Sequence, residues 1–311
     1  MEETVSKKNT GRGCLILLAA SFLWGTGIVA QKLGAGAVSA FTFNSMRMLV
    51  GLIIIIPAAF IYEKRERRRD PAWNGFAAKP LIIAAVIGGL GFFGGVTLQQ
   101  MSLTYISAGK SGFINSLYIV FLPIAESLFH KKIAPRTWLG VAAALAGLYL
   151  LCIKEGFTLG YGDVLGIIGS FCWTFEIMVI DRYCNRVNPL ALISVIVGVA
   201  CICSFACAFT VDHMDLSSAL TAWKPILYAG VVLVGICYTL QVFGQKTADP
   251  TLTGIIFSIE AVFSVLAGVL LLHETLTPRE GIGCLLMLLA LLITQVDWPT
   301  LLQKISPGNK N

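Results

Sequence analysis

Ile133-Ala134-Pro135-Arg136 and Leu276-Thr277-Pro278-Arg279 are two copies of one short turn, 143 residues apart in the chain. Each turn joins two apolar segments, so one helix-turn-helix unit occurs twice, at residues 107–151 and 250–294. An internal repeat of this length indicates a duplicated structural unit. The architecture is therefore constrained before any single residue is considered.

The chain is apolar along almost its whole length, with 56% hydrophobic and 13% charged residues among 311 and a mean hydropathy of +0.80. This composition leaves too little polar surface for a soluble globule, so we predict an all-α integral membrane protein. A helix needs about 20 apolar residues to cross a bilayer core of about 30 Å. Ten stretches meet this requirement: 13–32, 41–62, 80–101, 109–129, 136–153, 162–181, 190–210, 224–245, 251–272 and 279–296.

Positive charge is distributed unevenly between the two sides of these spans. Of the 23 Lys and Arg residues, 17 lie in the termini and even-numbered loops, 4 lie in odd-numbered loops, and Arg47 and Lys110 lie inside spans. Cytoplasmic loops carry the excess of positive charge, so both termini of this multi-pass membrane protein are predicted to be in the cytoplasm. The run from Glu63 to Asp70 is then a topology anchor first and a site for anionic lipid second. The net charge of +6 accordingly does not indicate nucleic-acid binding.

The repeat extends to the first and sixth spans, where Ser21-Phe22-Leu23-Trp24 matches Ser170-Phe171-Cys172-Trp173. This divides the chain into a first repeat at 13–153 and a second at 159–296, with cytoplasmic tails at 1–12 and 297–311. Five helices is an odd number, so the second half inserts upside down. We therefore predict ten transmembrane helices in an inverted 5+5 structural repeat, an arrangement typical of secondary transporters with a site at the repeat interface.

Glu260 is the first candidate site residue, because it lies near the middle of the ninth span. Its three- and four-residue spacing from Phe257 and Thr253 predicts one polar helical face. An ionisable residue at this depth is costly and usually faces a partner or a water-filled cavity. Two interpretations remain open: a carboxylate that contacts substrate or carries a proton, and a structural ion pair with Arg47 or Lys110.

Glu176 is the second candidate, three residues after Trp173 in the sixth span. A carboxylate beside an aromatic ring suits a cationic or zwitterionic organic group. The alternative is a Trp that only packs and a Glu that is hydrogen-bonded to a neighbouring helix. Arg47 is interpreted either as a counter-charge for a substrate carboxylate or as a side chain that snorkels to the interface.

Uncharged polar and aromatic side chains in the spans supply the other candidate walls of a pocket. They are Trp24, Gln99, Asn115, Tyr118, Tyr238 and Gln241. A few oriented polar groups among apolar ones give specificity for a polar organic solute. Taken singly, each is better explained as an interhelical hydrogen bond. Lys110 and Glu126 lie near the ends of the fourth span and rank lower.

Catalytic and metal-binding patterns are missing from the sequence. The nine cysteines lie in helices or at their ends and are interpreted as small packing residues. There is no nucleotide-binding Gly-rich loop, no His-Glu-x-x-His and no Gly-x-Ser-x-Gly. We predict no enzyme activity, no metal and no cofactor.

These residues resemble the drug/metabolite transporter superfamily, specifically EamA-type transporters with two EamA repeats. The most specific resemblance is Ser258-Ile-Glu260-Ala-Val-Phe-Ser-Val-Leu-Ala-Gly-Val-Leu-Leu-Leu-His-Glu274-Thr-Leu-Thr. Gln99-Gln100, Asp181-Arg182-Tyr183 and Tyr238-x-x-Gln241-x-x-x-Gln245 are similar as well. The resemblance implies ten helices, an inverted repeat, a central cavity and alternating access, often for the export of amino acids or other small metabolites.

One departure from the family pattern is His130-Lys131-Lys132 at the first turn, where the second repeat has His273-Glu274. A role that needs an acidic residue at both turns is therefore not expected.

The hypothesis from sequence is a secondary transporter of a small polar organic metabolite, surrounded by membrane lipid. The alternative is a non-transporting membrane partner or lipid-binding subunit whose intramembrane charges only pair helices. Sequence does not distinguish a monomer from a homodimer.

Overall fold

The computed structural model describes residues 7–76, 78–106, 108–129, 133–153, 159–214, 216–263, 265–266 and 277–295. Within these ranges the chain is helical and contains no strand, which confirms the all-α class. Several residues from the sequence analysis lie outside the described part: Ser107, His130, Lys131, Lys132, Ser264, His273, Glu274 and the side chain of Lys110.

Twelve helices can be traced through the described residues. The first six are α1 (Lys7–Ala37), α2 (Ala40–Arg69), α3 (Ala78–Tyr105), α4 (Ala108–Asn115), α5 (Tyr118–Leu128) and α6 (Pro135–Cys152). The next six are α7 (Tyr161–Tyr183), α8 (Pro189–Thr210), α9 (Leu216–Thr221), α10 (Trp223–Gly244), α11 (Pro250–Phe263) and α12 (Pro278–Gln295).

Six apolar segments in these helices are long enough to cross a membrane, which confirms a multi-pass membrane protein. They are Ala40–Arg69, Lys79–Tyr105, Ser111–Leu128, Tyr161–Tyr183, Pro189–Thr210 and Trp223–Gly244. Pro135–Leu151 and Pro250–Phe263 are shorter apolar helices.

The span predicted at 109–129 is one membrane-crossing segment, Ser111–Leu128, with a local interruption of the α-helical pitch at Ser116 and Leu117, between α4 and α5. Pro123 lies one turn into α5, where it cannot donate to the carbonyl of Ile119 and crowds it, a usual cause of a helix break or kink. The second copy is interrupted as well, at Ile259 in α11. The 143-residue offset of the repeat aligns Ile259 with Ser116.

Three helix pairs have the most extensive contacts: α6 with α12, α3 with α7, and α2 with α8. The α6–α12 crossing is close because two glycines face each other. A Cβ added at Gly147 would lie 2.8 Å from the carbonyl oxygen of Gly283, and a Cβ at Gly283 would lie 2.8 Å from that of Gly147. Direct backbone approach of this kind is how membrane helices pack without a hydrophobic driving force between them.

Helices α2 and α8 are joined at both ends of the pair. At each end, a carboxylate in or just after the C-terminal part of one helix accepts a hydrogen bond from the N-cap residue of the other helix. Near the start of α2, Asp212 accepts hydrogen bonds from the hydroxyl of its N-cap residue Ser39 and from the backbone N–H of Thr42, the latter at 3.1 Å. Near the start of α8, Glu63 accepts a hydrogen bond of 3.2 Å from its N-cap residue Asn188. The two junctions lie at opposite ends of the helix pair.

Candidate functional site

Glu176 is held in the core of the bundle by an amide from another helix. The side chain extends from α7 and is 1% exposed. Nε2 of Gln241 on α10 donates to both of its carboxylate oxygens, at 3.0 Å each. The same Nε2 lies 3.1 Å from Oε1 of Gln245, whose Nε2 donates to the carbonyl of Ile177 at 2.9 Å. A chain of amides therefore ties α10 to α7 around a buried carboxylate.

Aromatic rings form a continuous cluster beside this carboxylate. Trp24 lies 4.8 Å from Phe257 and 5.3 Å from Tyr238 between ring centroids, both edge to face. Phe92 lies 4.8 Å from Tyr238 and 5.6 Å from Trp173 in the same geometry. The cluster joins α1, α3, α7, α10 and α11. Ring faces with nearby carboxylates are the elements that attract an organic cation.

Glu260 enters this group from the interrupted part of α11. Its side chain is half-buried and follows the break at Ile259 directly. Its charge is near enough to act on Tyr118 of α5 and Tyr238 of α10. Among the described residues it has neither a hydrogen-bond partner nor an ion-pair partner. Glu176 and Glu260 are thus two intramembrane carboxylates that differ in their surroundings, since Glu176 is held by an amide and Glu260 has no such partner among the described residues.

Arg47 is the cation of the site and is enclosed by protein, with 4% of its surface exposed. Nε donates to Oδ1 of Asn44 at 2.9 Å, and the guanidinium lies 5.5 Å from the centre of the Phe43 ring. This placement does not match snorkelling to the membrane surface. Its charge acts on Tyr238, yet no ion pair joins it to Glu260 or Glu176 within the described part of the chain.

Tyr238 lies in the middle of the aromatic cluster, where its ring contacts both Trp24 and Phe92. It directly follows a π-helical stretch, Ala229–Cys237, inside α10. Such stretches widen a helix by one residue and are frequent at functional sites. The sequence carries no distinct signal for this change of pitch, since Ala229–Cys237 reads as an ordinary apolar helix.

Gln99 and Asn115 lie at one side of this group, next to Gly169. A Cβ at Gly169 would be 3.7 Å from both Oδ1 of Asn115 and the backbone nitrogen of Gln99. Asn115 is buried, and its Oδ1 has no hydrogen-bond partner among the described residues. Gln99 is half-buried and likewise makes no side-chain hydrogen bond within those residues.

Several other buried polar atoms lack a protein partner in the described part of the chain. They are Oγ1 of Thr97, Oε1 of Gln100, Oγ of Ser170, Nε1 of Trp173, Oε1 of Gln241 and Oγ1 of Thr253. Buried polar groups are normally hydrogen-bonded, so a set spread over α3, α7, α10 and α11 marks a region suited to a polar ligand or to water.

Three residues of this region were absent from the predicted site set. Phe92 and Phe257 contact the predicted aromatic residues, and Gln245 extends the amide chain of Gln241. The four-residue spacing from Gln241 to Gln245 was a usable signal. Phe92 had none, because one phenylalanine in an apolar span looks like any other.

The family model described as EamA-like transporter family matches the chain twice, at residues 11–153 and 160–295. An uncharacterized transporter of Archaeoglobus fulgidus is 27% identical over 282 residues, which cover 90% of this chain and 84% of that protein. The uncharacterized transporter YwfM of Bacillus subtilis is 24% identical, with 90% of this chain and 92% of that protein covered. The uncharacterized inner membrane transporter YedA of Escherichia coli strain K12 is 22% identical, with 86% and 85% covered.

The fold also matches a known crystal structure with a TM-score of 0.74 at 20% identity, covering 92% of this chain and 98% of the other. At this identity the match concerns the fold alone. The two family matches together span nearly the whole sequence, and they coincide with the duplicated unit found from the turns. The chain is a membrane protein and belongs to the EamA-like transporter family.

Proposed function

We propose that the protein is a secondary transporter that moves a small polar organic metabolite, such as an amino acid or a related compound, by alternating access and without ATP. Glu260 carries this proposal. Its carboxylate directly follows the turn at Ile259 in the short apolar helix α11 and has no partner in the described part of the chain. Transporter sites typically form at discontinuous helices near the repeat interface.

The proposed architecture is ten transmembrane helices in an inverted 5+5 repeat at the positions predicted from sequence. Its support is the correspondence between the two halves. The interruptions at Ser116 and Ile259 align at the offset of the repeated turns. The offset of the Ser21 and Ser170 motifs, 149 residues, likewise aligns Ser39 with Asn188, the N-cap residues joined to Asp212 and Glu63.

The proposed orientation has both termini in the cytoplasm of the inner membrane, because 17 of 23 Lys and Arg residues are on that side. The name of the YedA relative, an inner membrane transporter, agrees with this location. Export is the proposed direction because EamA-type members often export amino acids or other small metabolites. A cysteine-labelling map from each side of the membrane tests the orientation.

The charges and rings favour a substrate with an amino group. In this proposal Glu260 receives the amine, the aromatic cluster contacts its methylene groups, and Arg47 receives a carboxylate when one is present. Glu176 already has its charge balanced by the amide of Gln241, so it acts through position more than through direct binding. Gln99 and Asn115 supply hydrogen bonds to other polar groups of the substrate.

The rival, a non-transporting membrane partner, requires intramembrane charges that only pair helices. Neither Arg47 nor Glu260 has an ion-pair partner among the described residues, and the relatives are named transporters. Both observations favour transport.

The test uses the purified full-length protein. A thermal-shift screen with amino acids, nucleosides, polyamines and quaternary ammonium compounds identifies a class of ligand, and flux into liposomes is then measured with the best member. We expect Glu260→Gln to abolish flux and its pH dependence. Glu66→Gln is the matched control, because Glu66 is paired with Arg69 at the helix end, outside the bundle core, and it should leave flux unchanged.

Unaltered flux and pH dependence in Glu260→Gln would remove Glu260 from the mechanism. No ligand in the screen together with no flux in liposomes would instead favour the non-transporting partner. Counterflow from preloaded, oriented vesicles measures the direction, and faster uptake than release would contradict export.

A further inference from the structure

An open pocket of about 580 Å³ lies at the C-terminal end of α2, away from the candidate transport site. It is lined by Phe60, Glu63, Lys64, Arg67, Arg68 and Phe76. The lining residues of α2 recur at three- and four-residue intervals, so they share one helical face. Lys64, Arg67 and Arg68 form the cationic part of the pocket, and Phe60 and Phe76 form its aromatic part.

Glu63 is the single carboxylate among the residues that line the pocket, and both of its oxygens already accept hydrogen bonds from the protein. Oε1 of Glu63 accepts from Nε of Arg67 at 2.9 Å and from the backbone N–H of Gly75 at 3.2 Å. Oε2 accepts from Nε1 of Trp73 at 3.0 Å and from Nδ2 of Asn188 at 3.2 Å. Glu63 is therefore a structural part of the wall and leaves little acceptor capacity for a cation in the pocket.

The cationic side chains of the pocket, in contrast to Glu63, are largely exposed. Lys64 and Arg68 are exposed, and the side chain of Arg67 remains 54% exposed while only its Nε is used by Glu63. Because Arg67 is paired with Glu63, the charged residues that line the pocket carry a net charge of +2, which favours an anion. The planar donors of arginine match phosphate oxygens especially well.

The aromatic part of the pocket continues toward the hydrocarbon. Phe60 lies in the predicted span 41–62 and is 63% exposed, and its ring centroid is 5.4 Å from that of Phe76. An apolar surface directly below a cationic one, at the end of a membrane helix, matches an amphiphile with an anionic head. A free phosphate would contact only the cationic part of the pocket.

We propose that this pocket binds an anionic phospholipid, with its phosphate between Lys64, Arg67 and Arg68 and an acyl chain against Phe60 and Phe76. On the orientation proposed above, the lipid belongs to the cytoplasmic leaflet, where anionic lipids attract basic segments beside membrane helices. Because Glu63 joins the ends of α2 and α8 and also holds Arg67, a lipid bound here stabilises the same junction. The site does not depend on the transport proposal.

The experiment compares two double variants of the full-length protein that each lose two positive charges from the same helix end. Lys64→Gln/Arg68→Gln removes two cations of the pocket and leaves the Glu63–Arg67 pair in place. Arg65→Gln/Arg69→Gln removes two cations that do not line it. Binding of phosphatidylglycerol and phosphatidylcholine is measured by native mass spectrometry of the detergent-solubilised protein, with melting temperature in neutral detergent as the folding check.

Wild-type protein should retain phosphatidylglycerol in preference to phosphatidylcholine. Lys64→Gln/Arg68→Gln should weaken phosphatidylglycerol binding roughly tenfold to 30-fold, since each cation near the surface contributes to lipid attraction, and Arg65→Gln/Arg69→Gln should weaken it less than threefold. Phe60→Ala should weaken lipid binding and leave the weak binding of soluble glycerol phosphate unchanged.

Equal losses in the two double variants would mean diffuse attraction to the helix end and would overturn the site. No loss in Lys64→Gln/Arg68→Gln would overturn it as well. Displacement of the lipid by glycerol phosphate at equal concentration would assign the pocket to a free phosphate compound and contradict the lipid. None of these outcomes depends on a flux measurement, so a failure of the lipid-binding proposal is distinguishable from a failure of the transport proposal.

Discussion

The side-chain amide of Gln241 on α10 donates to both carboxylate oxygens of Glu176 on α7, at 3.0 Å each. Both residues are 1% exposed, so a neutral donor from another helix satisfies the carboxyl group of Glu176 inside the bundle. Glu260 has no such donor among the described residues. The two intramembrane acids therefore differ in their ability to respond to a ligand or a proton.

Gln241→Leu is expected to destabilise the folded protein by about 1 kcal/mol, because it leaves the buried carboxylate of Glu176 without its donor. Thermal unfolding in detergent measures the change. Glu176→Gln in the Gln241→Leu background should recover part of the loss, since a neutral group is less costly to bury. Gln99→Leu is the matched control and should have a smaller effect. Equal melting temperatures for wild type and Gln241→Leu would show that the contact does not stabilise the fold.

Asn188→Ala is expected to cost about 1–2 kcal/mol of unfolding free energy. Its Oδ1 accepts from the backbone N–H groups of Leu190 and Ala191 at 3.0 and 3.2 Å, and its Nδ2 donates to Glu63. The substitution therefore removes a helix cap and one donor of a buried carboxylate together. Asn185→Ala, whose exposed side chain donates only to the carbonyl of Lys246, should change stability by less than about 0.5 kcal/mol. A similar loss for both variants would contradict this account of the junction.

Gly147→Ala is expected to destabilise the protein by about 1–3 kcal/mol, because the added methyl group meets the backbone of α12 at Gly283 and Met287. Gly198→Ala adds the same group in α8 where no heavy atom lies within 4 Å. Alanine is a better helix former than glycine, so this control should be neutral or slightly stabilising. Unfolding in detergent followed by circular dichroism distinguishes the two, and an unchanged Gly147→Ala would exclude a tight α6–α12 crossing.

Thr251→Val is expected to cost about 1 kcal/mol, since the hydroxyl and the backbone N–H of Thr251 both donate to Glu126 of α5. The change removes the hydroxyl at nearly constant volume and leaves the backbone donor. Thr210→Val, at an exposed position whose hydroxyl bonds the carbonyl of Ala206 in its own helix, provides the comparison. Loss of stability in Thr210→Val and none in Thr251→Val would contradict a role for Glu126 at the start of α11.

Prediction from sequence succeeded where the physical signal is local. Apolar stretches and repeated turns identified a multi-pass all-α membrane protein and its family, because hydropathy and turn chemistry depend on neighbouring residues. The same reasoning identified 109–129 as one span, which agrees with the segment Ser111–Leu128, but it did not predict the local turn at Ser116 and Leu117, although Pro123 was visible. A proline predicts that a helix is disturbed, but its surroundings decide whether the result is a kink or a break.

Sequence analysis predicted which residues form the candidate site, but it predicted only a part of the contacts between them. Trp173 and Tyr238 were selected for chemistry, and their aromatic partner Phe92 was not. Contacts such as Gln241 to Glu176 join residues 65 positions apart. Their formation depends on the rotation and spacing of two helices, which no local pattern specifies.

Sequence by itself determined the membrane-spanning character, the duplicated unit and the presence of two acids, Glu176 and Glu260, inside predicted spans. Only the tertiary structure decided that Glu176 accepts two hydrogen bonds from Gln241 while Glu260, next to the turn at Ile259, has no hydrogen-bond or ion-pair partner among the described residues. The physical reason is that the cost of a buried charge depends on the donors within a few ångströms of it. Those donors come from other helices, so they are defined only when the bundle is packed.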